Sequence, residues 1–366
     1  MQYKIEIIRN TKQWDNLECE WDELLSKSLS NEIFQTYAWQ RTWWEHWGIG
    51  DPAIVVCYAE EKLICILPFY IFSKFSQKIV KFIGSNNSDY LDVIIDRFCN
   101  IEEVVNVALE YFIKHCRFDV IELEELPFAS PLLEIVRKKK LKLLSNIDNN
   151  SLCVYIPALS TVQLYEQYIN KKKISRVKSR YKKLQQSGNT QYEELFLLSE
   201  NDLNTFYELH ADRWMSKGKS SGLSEQKYRS YFNALHREFS KKNQLFFPVL
   251  RLDNEIIACM FGFIYNSKIY YYIPTFKQEL MYYNLGHLLI MNIVNSRADE
   301  AMNEVDLLRG TEPYKYIWSN CERQNYKLIL SKKNIRGAAY FAAYLLYFKV
   351  AKPLAKKVLH KLKNDV

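Results

Sequence analysis

Residues 245–276, "LFFPVLRLDNEIIACMFGFIYNSKIYYYIPTF", form three apolar runs broken at Asp253–Asn254 and Asn266–Ser267. Apolar runs of strand length separated by short polar breaks read as a β-meander of three strands. Next, "YYNLGHLLIMNIV" opens a helix from about Leu285 to Asn303, and the apolar "EVDLLR" reads as a strand. Meander, helix, strand is an order that builds a mixed sheet flanked by helices.

The same order occurs earlier in the chain. A strand near Lys4–Ile8 precedes a helix over Thr11–Ser26 and a tryptophan-dense helix over Phe34–Gly48. Ala53–Phe72 reads as a hairpin turning at Glu60–Lys62, and Lys78–Asp96 as two strands broken by Gly84–Ser88. A helix over Ile101–His115, the strand "FDVIELEEL" and a short helix in "SPLLEIVRKKK" complete the first half. The second half opens with the strand "SLCVYIP" and a basic helix over Thr161–Ser187. The strand "QYEELFLL" and helices over Glu200–Met215 and Ser224–Ser240 follow, and "YKLILSKK" closes the half. The halves share an order of elements and no visible sequence identity. The expectation is an α/β (α+β) fold of two similar domains, residues 1–150 and 151–331, with a basic helical tail over 332–366.

At 366 residues and 48% hydrophobic content the chain can fill two cores, which excludes a disordered or fibrous class. None of the eight cysteines forms a CxxC pair and several lie in apolar runs, a pattern of reduced core thiols in a cytoplasmic protein with no metal site. "MQYKIEIIRN" alternates like a strand and not like a signal peptide. No uncharged apolar run reaches the roughly 18 residues that span a bilayer. The net charge of +8 is uneven: nine Lys/Arg and one Asp fall in 332–366, leaving 41 basic against 41 acidic residues before it. The tail, "AAYFAAYLLYFKVAKPLAKKVLHKLK", joins an apolar helix to lysines interleaved with Leu and Val. It suits either the protein body or an anionic membrane surface.

Several side chains stand out as candidates for chemistry. Leu285, Gly286 and His287 open a helix, where backbone N–H groups and the helix dipole favour an anion. His210, Arg213 and Trp214, at i, i+3 and i+4, share one helical face. Asp306 sits inside an apolar strand, where a carboxylate is costly unless paired; Arg309 and Lys315 are its nearby partners. The reading stays open between a buried ion pair and a pocket wall at the strand's C-terminal edge. In "NNSDYLDV", Asp89 and Asp92 flank Tyr90, and Asp89 at the turn end is favoured. Lys171–Lys183 holds eight basic residues and no acid, which fits a solvated helical face, a phosphate-rich cofactor or an acyl-tRNA.

Taken in order, "FQTYAWQRTWWEHWG", "FIGSNNSDYLDVIID", "FDVIELEELP", "LHADRWMSKG", "YYNLGHLLIMNIV" and "DLLRGTEPYKYIW" resemble the GNAT-like acetyltransferase family that includes CelD-type proteins of cellulose and polysaccharide biosynthesis. The last motif carries the resemblance furthest, through Asp306, Arg309, Gly310, Glu312, Tyr314, Lys315 and Trp318. The family is similar in build to the Fem-type aminoacyl transferases. The resemblance implies tandem GNAT-like domains, the second binding the donor, and an enzyme that moves an acyl group from acetyl-CoA or another acyl-CoA to an amine. The implied acceptor is an amino sugar of surface polysaccharide, and the implied location is cytoplasmic or peripheral at the membrane. An aminoacyl-tRNA donor and a non-catalytic membrane scaffold remain alternatives. In the implied site Asp306 or Asp89 takes the proton, and Tyr314 or Lys315 supplies a donor to the oxyanion. Arg309, Lys315, Glu312, Trp214, His210, Arg213 and Tyr90 orient substrate. Leu285, Gly286 and His287 meet the donor. One glycine in "YYNLGHLL" departs from the glycine-rich phosphate loop usual in GNAT proteins.

Overall fold

The computed structural model describes residues 2–138, 141–157, 171–297 and 302–351. The chain divides into two compact units. The first is Met1–Asn31, Gly48–Asn150 and Asn325–Val366, and the second is Glu32–Trp47 with Ser151–Gln324. This division departs from one at residues 150 and 331. The tryptophan-rich helix (Tyr37–Trp47) sits in the second unit, and most of the last strand lies in the first.

The first unit holds strands β1 (Tyr3–Ile8), β2 (Asp51–Pro52), β3 (Ile54–Ala59), β4 (Lys62–Leu67), β5 (Phe69–Lys74), β6 (Gln77–Phe82), β7 (Ile94–Ile95) and β8 (Val120–Pro127). β1, β3, β4 and β7 make one antiparallel sheet. β2, β5 and β6 pair antiparallel, and β6 runs parallel to β8 for only Ile79–Val120 and Val80–Ile121. The helix Ile101–His115 bridges the parallel pair and buries Val104, Val105, Ala108, Leu109 and Phe112, a single stripe at helical spacing. The helix Ile335–Leu346 lies in this unit too. Tyr340 donates to Glu122 and Tyr344 to Asp148, while Phe341 and Leu345 pack against Val120 and Ile329. The described part of the tail therefore spends much of its apolar face on the protein body. Residues 352–366, which carry most of the lysines behind the expected membrane contact, lie outside the described residues.

The remaining strands are β9 (Leu144–Pro157), β10 (Thr190–Leu195), β11 (Leu245–Leu252), β12 (Glu255–Tyr265), β13 (Lys268–Phe276), β14 (Glu304–Arg309) and β15 (Glu322–Ser331). The second unit orders its strands β10-β11-β12-β13-β14-β9, antiparallel throughout except between β13 and β14. The meander appears as expected. Both of its turns place two residues in left-handed backbone, Asp253 and Asn254 at φ 50° and 70°, Asn266 and Ser267 at φ 50° and 56°. Two-residue hairpins need this backbone, and Asn and Asp tolerate it. The helix Glu200–Met215 begins at a capping box in which Ser199 and Asp202 satisfy each other's backbone N–H groups. The helix Lys171–Ser187 is described from Lys171, and its expected start at Thr161 lies outside the described residues. The helix after the meander, Leu285–Ser296, ends before the expected Asn303.

Trp39 explains why residues 32–47 belong here. It is fully buried and packs edge-on against Tyr231, Phe263 and Tyr272, and against Phe239. An indole buries more apolar area than most side chains, so its helix goes to the core that can receive it. Both units are mixed α/β layers with mainly antiparallel sheets flanked by helices.

Candidate active site

The second unit's parallel pair is short. β13 and β14 align only over Lys268–Glu304, Ile269–Val305 and Tyr270–Asp306. Beyond them β13 continues to Phe276 beside β12 alone. A cavity of about 220 Å³ opens there, lined by Arg213, Tyr271, Pro274, Phe276, Met281, Asn284, Leu285, Gly286, His287 and Tyr314.

The motif after β14 shapes one wall. Leu308 takes a left-handed φ of 62°, unusual for a branched side chain, and the register with β9 shifts between Asp306 and Arg309. Two buried charges hold this bulge. Asp306, at 0% exposure, accepts the Leu308 N–H at 2.7 Å. From the other side, the Lys315 ammonium donates to the carbonyls of Leu308 (2.9 Å) and Arg309 (2.7 Å) and meets Glu312 at 3.1 Å. Its three donors are thereby all used. Gly310 follows at φ 115°, a backbone conformation that residues with a Cβ rarely adopt. The clamp delivers Tyr314 to the cavity.

Asp306 also has a partner outside the motif, and Lys315 is engaged elsewhere. Its carboxylate pairs with Arg323 of β15 at 3.2 Å, and Arg323 also binds Glu304 and stacks over Tyr155 at 3.6 Å. Lys315 bonds the neighbouring backbone, and the Arg309 carbonyl is one of its acceptors. Asp306 is absent from the residues lining the cavity.

The opposite wall is the start of the helix Leu285–Ser296. Asn284, at φ 58°, precedes it, and its first turn contains no acid. Arg180 of the basic helix donates to Asn284 Oδ1 at 2.6 Å and lies over the Tyr282 ring. The first N–H groups of a helix lack intrahelical partners, and here cations stand beside them. Burial, with Arg180 and Lys173 nearby, lowers His287 to about 4. Trp318, fully buried, donates its indole N–H to His287 Nδ1 at 3.0 Å. Burial and the Glu312 carboxylate raise Tyr314 above the ordinary phenol value, so it keeps its proton.

The third wall comes through Arg213, which donates to the Pro274 carbonyl and lies 4.7 Å over the Phe276 ring. Its helical companions turn elsewhere. Trp214 donates to His210 Nε2 at 3.0 Å, and His210 Nδ1 meets Ser221 at 2.7 Å. Burial, with Arg213 and Lys217 nearby, lowers His210 to about 4. A ring nitrogen that accepts from an indole cannot also accept a substrate proton.

The structure thus brings Arg213, Leu285, Gly286, His287 and Tyr314 around one cavity, with Lys315 and Glu312 behind Tyr314. Glu312 is half exposed. Asp89 and Tyr90 are buried in the first unit, where the Asn325 amide donates to the Asp89 carbonyl at 2.7 Å. Asp92, its neighbour, is the perturbed acid. Burial raises it to about 7 despite bonds from Ser130 and Val93. Sequence reasoning missed Tyr271, Pro274, Phe276, Met281 and Asn284, which line the cavity from the meander's end. It also named no single cation of Lys171–Lys183, because nothing in the run marks Arg180 as the one that reaches Asn284.

Residues 171–316 match the model of an acetyltransferase (GNAT) domain. The matched segment contains every residue lining the cavity, and on that ground the protein is an acyltransferase. No curated protein matches the chain. Among solved structures, FemX has a similar fold at a TM-score of 0.63 and 10% identity, covering 89% of this chain and 97% of its own. A conserved protein of unknown function from Bacteroides thetaiotaomicron is similar at a TM-score of 0.56 and 12% identity, covering 89% and 100%. At such identities the likeness is one of fold.

Proposed function

We propose that this protein transfers an acyl group from an acyl-CoA to an amine, with the thioester seated between the start of the helix Leu285–Ser296 and Tyr314. The observation that carries the reading is an open cavity whose helix N-terminus has no acid in its first turn and a cation, Arg180, at its cap. The first-turn N–H groups and Arg180 suit the donor's phosphates. Phe276, Tyr271 and Met281 give the acyl arm an apolar wall. Tyr314, held protonated, can give its proton to the departing thiolate. The amine must lose a proton during attack. Glu312 is the carboxylate that bears on Tyr314, and it is our choice of acceptor ahead of Asp306, which is committed to Leu308 and Arg323.

We propose an amino sugar of surface polysaccharide as the acceptor, a choice that rests on the resemblance of "DLLRGTEPYKYIW" to CelD-type proteins. Cytoplasmic or peripheral membrane location, the latter through the basic end of the tail, belongs to the same proposal. Hydrogen exchange with and without CoA tests the core of it. Binding should protect residues 284–288 and 308–315 and leave 84–93 unchanged. No protection by CoA or acetyl-CoA anywhere would sink the reading.

A second reading rests on the basic helix. Lys171, Lys172, Lys173, Arg176, Lys178, Lys182 and Lys183 are all exposed along it, more cations than the phosphates of CoA require. An aminoacyl-tRNA donor would use them. Its mark is an affinity that falls steeply with salt across several phosphate contacts; salt-insensitive or undetectable tRNA binding removes it.

A further inference from the structure

Two side chains on the cavity wall carry hydrogen-bond donors that the protein leaves unused. Among the described residues, neither Nε2 of His287 nor the hydroxyl of Tyr314 meets a hydrogen-bond partner. Their rings stand edge to face, 6.2 Å apart.

The state of His287 follows from its other neighbour. An indole N–H only donates, so the Trp318 bond requires a lone pair on Nδ1. Burial and the nearby cations keep the ring uncharged. A neutral imidazole with a lone pair on Nδ1 carries its proton on Nε2. The third residue of the helix therefore presents a fixed N–H donor at the cavity, backed by a fully buried tryptophan that allows no other tautomer.

We infer that His287 is a catalytic residue whose Nε2–H holds the acyl carbonyl oxygen of the donor, with Trp318 as the positioning residue that fixes its tautomer. This rests on the acyl-CoA reading above. In the step, the amine nitrogen attacks the thioester carbon and the C=O π pair moves onto oxygen, where His287 Nε2–H meets the negative charge. Collapse re-forms C=O and breaks C–S. The sulfur takes the Tyr314 proton, and the proton lost by the amine restores Tyr314 by way of Glu312 or water. Thioester and amine become amide and thiol with no other reactant. A neutral donor suits this role because it stabilises the oxyanion without surrendering its proton to it.

Two substitutions separate this role from a structural one. His287→Asn keeps an acceptor for Trp318 but falls short of the Nε2 position. His287→Gln extends an N–H toward that position. Isotope-edited infrared spectroscopy of [1-13C]acetyl-CoA bound to the full-length protein reads the carbonyl directly. The native protein should shift the bound C=O stretch to lower frequency than in free acetyl-CoA. His287→Asn should abolish the shift and His287→Gln should keep most of it. Affinity for CoA itself, which lacks the carbonyl, should stay within about threefold in both variants, and acyl-transfer turnover should fall about 100-fold in His287→Asn, as on loss of one oxyanion donor. An undiminished shift in His287→Asn overturns the role of His287 and leaves the acyltransferase reading standing. Failure of the native protein to bind acetyl-CoA overturns both.

Discussion

The two units build the same device and finish it differently. Each has a parallel strand pair joined across a helix, and each pair separates after two or three residues. Each also carries one non-glycine residue in left-handed backbone on its second strand, Glu125 at φ 60° and Leu308 at φ 62°. In the first unit the opening is filled. Ser88, Asp89, Tyr90 and Leu91 are buried, and Leu91 donates to the Glu125 carbonyl at 3.0 Å. Asn150 and Asn325 hold the Glu125 carboxylate at 2.8 and 2.9 Å. The helix that follows begins with Glu102 and Glu103, which already occupy the positive end of its dipole. In the second unit the opening stays empty, and the helix begins with Leu285, Gly286 and His287 beside Arg180. Topology supplies two candidate donor sites, and the side chains at the split leave one of them open.

The comparison can be broken at the level of stability. Trp39→Ala should remove about 3–5 kcal/mol, the usual result of deleting a buried indole. The loss should appear in hydrogen exchange of residues 171–316 and leave β3 and β4 protected. Equal loss in both units would show that they unfold together and that the division is only geometric.

A smaller effect is expected from the clamp. Lys315→Met strands the buried Leu308 carbonyl and should loosen the second unit by about 1–3 kcal/mol, the usual cost of a buried group left without a donor. Asp306→Asn keeps an acceptor for Leu308 but loses the charge opposite Arg323. It should lower the melting temperature and spare acyl transfer per folded molecule. Abolished transfer at an unchanged melting temperature would return Asp306 to the chemistry.

Acid and base should act oppositely on the two units. His210 and His287, lowered from 6.5 to about 4, bind protons more tightly when unfolded. Their neutral burial is fully favourable above pH 6.5, and stability of the second unit is lost as pH falls from there toward 4. Asp92, raised from 3.8 to about 7, has the opposite sign. Its contribution is fully present below pH 3.8 and is lost as pH rises through 7. Hydrogen exchange at pH 5 and pH 8 should show the second unit weaker at the lower value and the first at the higher. Asp92→Asn should flatten the first unit's slope; an unchanged slope would assign it to other groups.

The smallest expected effect concerns Gly286. A Cβ there would stand 3.4 Å from the Phe276 ring, a tight contact that a small adjustment relieves. Alanine also favours a helix over glycine by up to about 1 kcal/mol. Gly286→Ala should change stability by less than that and CoA affinity by less than about threefold. A larger loss of affinity would mean that the donor approaches the backbone as closely as in a glycine-rich loop.

Local signals were legible in the sequence because they depend on near neighbours. The meander follows from its apolar runs and from the breaks at Asp253–Asn254 and Asn266–Ser267. The motif from Asp306 to Trp318 stood out as one unit, since a bulge, a glycine at φ 115° and a lysine closing on the backbone all lie within ten residues. The sequence by itself therefore determined the elements, their order and the neighbourhood of the candidate site. Tertiary structure decided which residues do what there. Asp306 finds an ion-pair partner 17 residues away at Arg323, Trp318 reaches back to His287, and Arg180 of the basic run arrives at Asn284. It also sent Trp39 into the second core. Each of these is a pairing across a sheet or a core. A partner's distance along the chain carries no information about its distance in space until the strands have taken their register.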